Sequence, residues 1–240
     1  NSYVKANTTY GQSIVSYTGT GSNATVGHGL SGAPELIILK DRGGTTNWSV
    51  YHASNTAAPE TDALALNTTD ATSDYLWWND TAPTSSVFSL GAISNTNANG
   101  NKFIAYCFDS VAGYSKFGSY TGNASTTNAI TGLGFEPAFL ILKNASATGD
   151  WTVWDNTRHP YNPKDIQLFP NLSNAEDSPS ASTIVQFDSD GFTIKGTNGK
   201  INGSGNTIIY MAFADKREYA YWLDQSGNNN DWTSNNLTES

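Results

Sequence analysis

The sequence predicts an all-β protein of two tandem, duplicated antiparallel β-sandwich units of jelly-roll or lectin-like type. Three observations predict it. The first is an internal duplication. Residues 16–52 align without a gap to residues 119–155, and Tyr17, Thr18, Gly19, Ser22, Gly29, Leu30, Pro34, Ile38, Leu39, Lys40, Trp48 and Val50 meet the same residue in the second copy. The offset of 103 residues (119 against 16) is far beyond the roughly 20–50 residues of a solenoid repeat. The second is a short, wholly apolar run in each copy, Leu36-Ile-Ile-Leu39 and Phe139-Leu-Ile-Leu142, entered through Pro34 and Pro137. Such runs fit strands buried on both faces, and proline suits a strand start, where its missing N–H does little harm. The third is a succession of short strand-like segments separated by Gly, Asn and Pro turns, with no amphipathic helical period.

In chain order, residues 1–11 read as a lead-in or linker. The first repeat spans 12–113. Its opening strand is Gln12-Ser-Ile-Val-Ser-Tyr-Thr18, matched by Lys116-Phe-Gly-Ser-Tyr-Thr121, and both run into Gly/Asn/Ser loops. The duplicated apolar strand follows. Next come Trp48-Ser-Val-Tyr51 and Trp151-Thr-Val-Trp154, whose aromatics suit one packed face. Residues 53–61 read as a loop. Ala63-Leu-Ala-Leu66 pairs with Ile166-Gln-Leu-Phe169, and Tyr75-Leu-Trp-Trp78 reads as a strand loosely matched by Thr183-Ile-Val-Gln-Phe187. Val87-Phe-Ser-Leu90 corresponds to Phe192-Thr-Ile194, and residues 101–108 to 206–213. The second repeat spans 114–222, closing with Tyr219-Ala-Tyr-Trp222 as an edge strand. Residues 223–240 read as a linker or the start of a further domain, because Asp224-Gln-Ser-Gly-Asn resembles the opening of laminin-G or concanavalin-like lectin domains.

A chain of 240 residues holds one large β domain or two smaller ones. The net charge of −9 and the absence of a basic cluster argue against binding a nucleic-acid backbone. No apolar run reaches membrane-spanning length, so membrane insertion is not expected. The chain begins at Asn1 without a signal peptide and reads as a fragment or a processed product. Cys107, the single cysteine, reads as a small buried hydrophobe. A turn-rich composition without disulfides fits assembly in a reducing cytosol followed by exposure.

Taken together, Tyr17-Thr-Gly-Thr-Gly21, Gly27-His-Gly-Leu30, Pro34-Glu-Leu-Ile-Ile-Leu-Lys40 and Asn47-Trp-Ser-Val-Tyr-His52 resemble the first half of a known family. It is a domain of unknown function widespread in virion proteins of tailed bacteriophages, especially marine ones. Gly113-Tyr-Ser-Lys-Phe-Gly-Ser-Tyr-Thr-Gly122, Gly149-Asp-Trp151, Asn171-Leu-Ser-Asn-Ala-Glu176, Asp190-Gly-Phe192 and Tyr210-Met-Ala-Phe213 resemble its second half. The resemblance covers roughly residues 12–222. It implies a phage structural protein, such as a tail fibre, capsid decoration or surface appendage, at the virion surface after assembly in the host cytoplasm. It carries no catalytic residues to transfer.

Individual residues add candidate chemistry. His28, His52 and a carboxylate could bind a metal, but the plain reading is of loop and strand-end residues. Asp188-Ser-Asp190-Gly191 lacks the further ligands of a calcium loop and fits a β-turn better. Asp70, Asp74 and Asp80 show no pairing of the kind a glycosidase needs. Trp48, Trp151 and Trp154 recur at strand positions and are expected in the core. Adjacent strand residues point to opposite faces, so one of Trp77 and Trp78 is expected to be exposed or in an interface beside Asn79 and Asp80; the readings are a contact with a protein neighbour, packing under a loop and, less favoured, stacking on a sugar ring. The Asn-x-Ser/Thr sequons follow from the composition and are expected bare in a bacterial cytosol.

The expectation is therefore a non-enzymatic virion module for assembly and display. Its partners would be other virion proteins and further copies of itself, with no cofactor, metal or nucleic acid. Its candidate interaction surface is Trp77, Trp78, Asn79, Asp80 and His28. The alternative is a host-surface glycan-binding module of a phage fibre. A depolymerase is the least favoured.

Overall fold

The structure is a computed structural model and describes residues 2–176 and 182–215. It is all-β, with several antiparallel sheets. The first half holds β1 (Ser2–Asn7), β2 (Gln12–Thr18), β3 (Ala24–Gly27), β4 (Leu36–Asp41), β5 (Ser49–His52), β6 (Asp62–Ala65), β7 (Ser73–Asp74), a 3-10 turn (Leu76–Trp78), β8 (Val87–Leu90), the one-turn helix α1 (Ser94–Asn97) and β9 (Lys102–Phe108). The second half holds β10 (Ser115–Thr121), β11 (Asn128–Thr131), β12 (Pro137–Asn144), β13 (Thr152–Asp155), β14 (Val185–Asp188), β15 (Gly191–Ile194), α2 (Gly199–Asn202) and β16 (Thr207–Ala214).

A seven-stranded sheet runs β1-β2-β9-β4-β5-β6-β7, with β3-β8 as a separate pair. The second half has a four-stranded sheet, β10-β16-β12-β13, and a three-stranded one, β11-β15-β14. The order β2-β9-β4-β5 thus recurs as β10-β16-β12-β13, and β3-β8 recurs as β11-β15. Among the described residues, every sheet is built from strands of one half.

Alternation along the strands places the cores. Ile37 and Leu39 of β4 join Val26, Phe88 and Leu90 of the two-stranded sheet in one core. Leu140 and Leu142 of β12 join Ile130, Phe192 and Ile194 of the three-stranded sheet in another. The alternate residues turn the other way. Leu36, Val50 and Leu64 from the first half meet Phe117, Trp151 and Ile209 from the second in a central core, with Ile38, Ile141, Met211 and Phe213 packed against it. The two large sheets therefore have a face on their own half's core and a face on the shared one. This is why Leu36-Ile-Ile-Leu39 and Phe139-Leu-Ile-Leu142 carry no polar residue: both faces are removed from water, and each buried aliphatic side chain gains about 1.5–3 kcal/mol of transfer free energy.

The repeated Tyr-Thr-Gly motif has a structural role. The Tyr17 hydroxyl donates to the Thr96 carbonyl of α1 at 2.5 Å, and the Tyr120 hydroxyl donates to the Ile201 carbonyl of α2 at 2.6 Å. Buried Asn97 and Asn202 then take the following loop. Their Oδ1 atoms accept from the backbone N–H of Thr20 and of Asn123, and their Nδ2 groups donate to the carbonyls of Ser22 and of Ser125. Glycine is required because a Cβ on Gly19 or Gly122 would sit 2.1 Å from the Ala98 or Gly203 carbonyl oxygen.

The structure departs from the sequence expectations in three places. Residues 1–11 are not a plain lead-in: 2–7 form β1, hydrogen-bonded along its length to β2. Every residue of β1 is exposed, so it lacks the buried face that hydrophobic patterning detects. Residues 75–78 form no strand, as the 3-10 turn shows. Trp48 is only half-buried, whereas Trp151 and Trp154 are buried. The strand expected at 219–222 and the lectin-like text from Asp224 lie outside the described residues.

Candidate functional site

His28 follows β3 and is fully buried. Its Nδ1 accepts the backbone N–H of Leu30 at 3.1 Å, which leaves Nε2–H to donate to the Thr84 carbonyl at 3.0 Å. Its own carbonyl accepts the Ser13 hydroxyl. Both ring nitrogens are thus occupied by backbone, and His28 fastens the 84–86 turn to the loop after β3. It is not part of an interaction surface.

Trp77 and Trp78 are both buried, at 3% and 1% exposure, and belong to the first half's core. The expectation that one of them is exposed is corrected. It rested on strand alternation, and a 3-10 turn at three residues per turn does not alternate. Tyr51 meets Trp78 edge-to-face, and Tyr75 stacks on Trp77 at 4.8 Å. The surface position passes to Leu76, 57% exposed, and to Tyr75. Asn79 and Asp80 hold φ of 54° and 45°, a left-handed pair that ends the turn. Gly91 lies against it so closely that a Cβ would be 1.9 Å from the Leu76 carbonyl oxygen. The predicted set is therefore not one surface: the two Trp and His28 are interior, and Asn79 and Asp80 shape the turn.

Other candidates are also committed to structure. His52 is fully buried; Nδ1 accepts from the Ser54 N–H, and Nε2 donates to the Tyr210 carbonyl in the other half at 3.1 Å. Burial lowers its pKa to about 4. The Cys107 thiol is buried, and its pKa is pushed up to about 12, away from nucleophilic use. Lys143 is buried between the halves, its Nζ donating to the Thr69 carbonyl at 3.0 Å and the Gly149 carbonyl at 2.7 Å. Trp151 Nε1 donates to the Ala65 carbonyl at 3.0 Å. The Asp190 carboxylate accepts the N–H groups of Gly132 and Gly134, so the Asp188–Gly191 stretch is a hairpin turn that also clamps a loop. Among the described residues, no group of three or more His, Cys, Asp or Glu is placed to hold a metal ion. No described helix is long and apolar enough to cross a membrane.

A further surface lies across β1, β2 and β9. Rows across the sheet run Asn7–Gln12–Phe108–Leu36, Lys5–Ile14–Tyr106–Ile38 and Tyr3–Ser16–Ile104–Lys40. Leu36 and Ile38 are in the central core. Toward β1 the cover ends: Ile14 is 49% exposed and Tyr3 82%. A groove of about 310 Å³ opens there, lined by Lys5, Asn7, Gln12, Ile14, Tyr106 and Phe108. The Tyr114 hydroxyl accepts from Gln12 Nε2 at 3.1 Å, and its ring packs edge-on to Tyr10. The lining of the groove combines two aromatic side chains, an ammonium and two amides. Sequence reading missed it because the row pairing β1 to β2 is not visible without β1 itself. The signal available was the alternation of Tyr3, Lys5 and Asn7 with Val4 and Ala6.

No curated protein and no solved structure matches the chain. A family defined by a domain of unknown function, DUF7483, matches residues 1–217 and so takes in both halves of the fold. The chain belongs to this family of domains of unknown function.

Proposed function

We propose that the chain is a non-enzymatic structural module of a tailed-bacteriophage virion, a tail fibre, capsid decoration or surface appendage, which assembles with other virion proteins and displays loops at the particle surface. In this reading the DUF7483 family and the phage virion domain resembled by the duplicated motifs are the same. Each half is a β-sandwich unit, and the two arose by duplication. The observation that carries the proposal is how the buried polar groups are used. His28, His52, Lys143, Asn97, Asn202 and Trp151 all bond backbone groups, and those of His52, Lys143 and Trp151 run from one half to the other. Together with a shared apolar core, that is the build of a stiff two-unit spacer, as an appendage requires.

A second reading is favoured by one observation, the groove beside β1. Tyr106 and Phe108 contribute aromatic side chains to its lining, and Lys5, Asn7 and Gln12 contribute hydrogen-bond donors. Such a surface suits stacking and hydrogen bonding to a host-surface glycan.

Quantitative mass spectrometry of gradient-purified particles tests the first reading. A fixed number of copies per particle supports it. Absence from purified particles, with the chain abundant in infected cells, overturns it. A glycan array with a Tyr106→Ala control tests the second.

A further inference from the structure

The seven-stranded sheet ends in β1, six residues long, exposed throughout and paired to β2 without a register shift. Four other sheet edges are blunted. β7 has only two residues. Along β10, Ser115 is bridged by Val111, and the Ser110 hydroxyl accepts the Phe117 N–H. β13 is bridged at Val153 by Leu168, and β14 at Val185 by Lys164. A six-residue edge carrying one charge and no proline is a template for another strand.

The direction of its free backbone groups can be derived. Gly11 accepts from the Asp109 N–H at 2.8 Å, and the Gly19 N–H donates to Asn101 at 2.9 Å. Odd residues of β2 therefore face β9. Backbone groups alternate sides along a strand, so Gln12, Ile14 and Ser16 face β1 and bond Asn7, Lys5 and Tyr3, their partners in register. Ser2, Val4 and Ala6 are left with N–H and C=O turned outward.

We infer that β1 is the interface of a two-fold dimer of this chain, pairing antiparallel with β1 of a second copy about Val4. Centred there, Val4 faces Val4 of the second copy and exchanges both hydrogen bonds with it. Ser2 faces Ala6. On the opposite face Tyr3 stands across from Lys5, twice. The strand's single charge meets an aromatic ring rather than its own like, which makes β1 complementary to itself. The large sheet doubles across the two-fold axis, an isologous contact. This inference concerns self-association and holds whatever particle the chain belongs to.

Sedimentation velocity on the 240-residue chain from about 1 to about 100 µM tests it, with circular dichroism to check folding. A concentration-dependent dimer is expected. Tyr3→Lys alters an exposed side chain but sets a second ammonium against Lys5, and should weaken the dimer about tenfold or more. Adding Lys5→Glu in the same chain replaces that clash with an ion pair and should restore dimerisation. Val4→Pro removes the central N–H and should abolish it, while an edge strand tolerates the proline. A wild-type chain that stays monomeric, a Val4→Pro chain that dimerises as well as wild type, or a failure of Lys5→Glu to rescue Tyr3→Lys would each overturn the inference. So would a monomer that binds an unrelated extended peptide along β1.

Discussion

His52 Nε2 donates a 3.1 Å hydrogen bond to the carbonyl oxygen of Tyr210, joining the end of β5 to the middle of β16 in the other half. The bond requires no charge on the ring, and burial lowers the pKa from 6.5 to about 4. A depressed histidine contributes stability that is full above its unfolded pKa and is lost as pH falls through the folded one. Between about pH 7.5 and pH 4 the loss should reach about 3 kcal/mol. Urea denaturation at the two pH values measures it, and His52→Gln should remove most of the difference. Burial works against the charged forms of Asp150 and Asp155, but Lys200 and Arg158 outweigh it and lower their pKa values, so those two contributions are lost only at still lower pH.

Lys143 and Lys40 occupy matching positions and should differ in cost. Lys40 Nζ, half-buried, bonds the carbonyls of Gly44 and Thr46 within its own loop. Lys143 is fully buried and bonds Thr69 across the halves. Lys143→Ala strands the buried Gly149 carbonyl, while the Thr69 carbonyl keeps the Gly149 N–H, and should cost about 2–3 kcal/mol, against about 1 kcal/mol or less for Lys40→Ala. Equal costs in denaturant melts would refute the assigned bridging role.

Trp77→Ala and Trp78→Ala should each destabilise the fold by about 3–5 kcal/mol, as for large aromatics removed from a core. Leu76→Ala, on an exposed side chain, should change stability by less than about 0.5 kcal/mol. Thermal melts of the three variants distinguish this arrangement from one in which a Trp is displayed at the surface.

The two Tyr–carbonyl latches should respond alike. Tyr17→Phe and Tyr120→Phe each orphan a carbonyl and should cost about 1–2 kcal/mol. Gly19→Ala and Gly122→Ala should cost more, since each new Cβ meets a carbonyl oxygen at 2.1 Å. A large effect in one half and none in the other would show that the duplicated motif no longer does the same job.

Much of this fold could be read from the sequence where burial leaves a two-sided mark. Leu36-Ile-Ile-Leu39 and Phe139-Leu-Ile-Leu142 stood out because both faces are covered, and the Tyr-Thr-Gly repeat because a tight latch tolerates few substitutions. The candidate surface was much less legible. Trp77 and Trp78 were misplaced because the left-handed pair Asn79–Asp80 ends a 3-10 turn that no period-two argument anticipates. β1 was missed because no residue of Ser2-Tyr-Val-Lys-Ala-Asn7 is buried within the chain. The cross-half bonds of His52, Lys143 and Trp151 join residues far apart in sequence, and only docking of the halves reveals them.

Cryo-electron microscopy of purified particles tests the central proposal, a virion structural module, most directly. The account predicts density for both halves as one rigid body at symmetric, repeated sites, with the groove beside β1 either covered by a neighbour or open at an appendage surface. Particles of full infectivity with no density for this body at any site would contradict it.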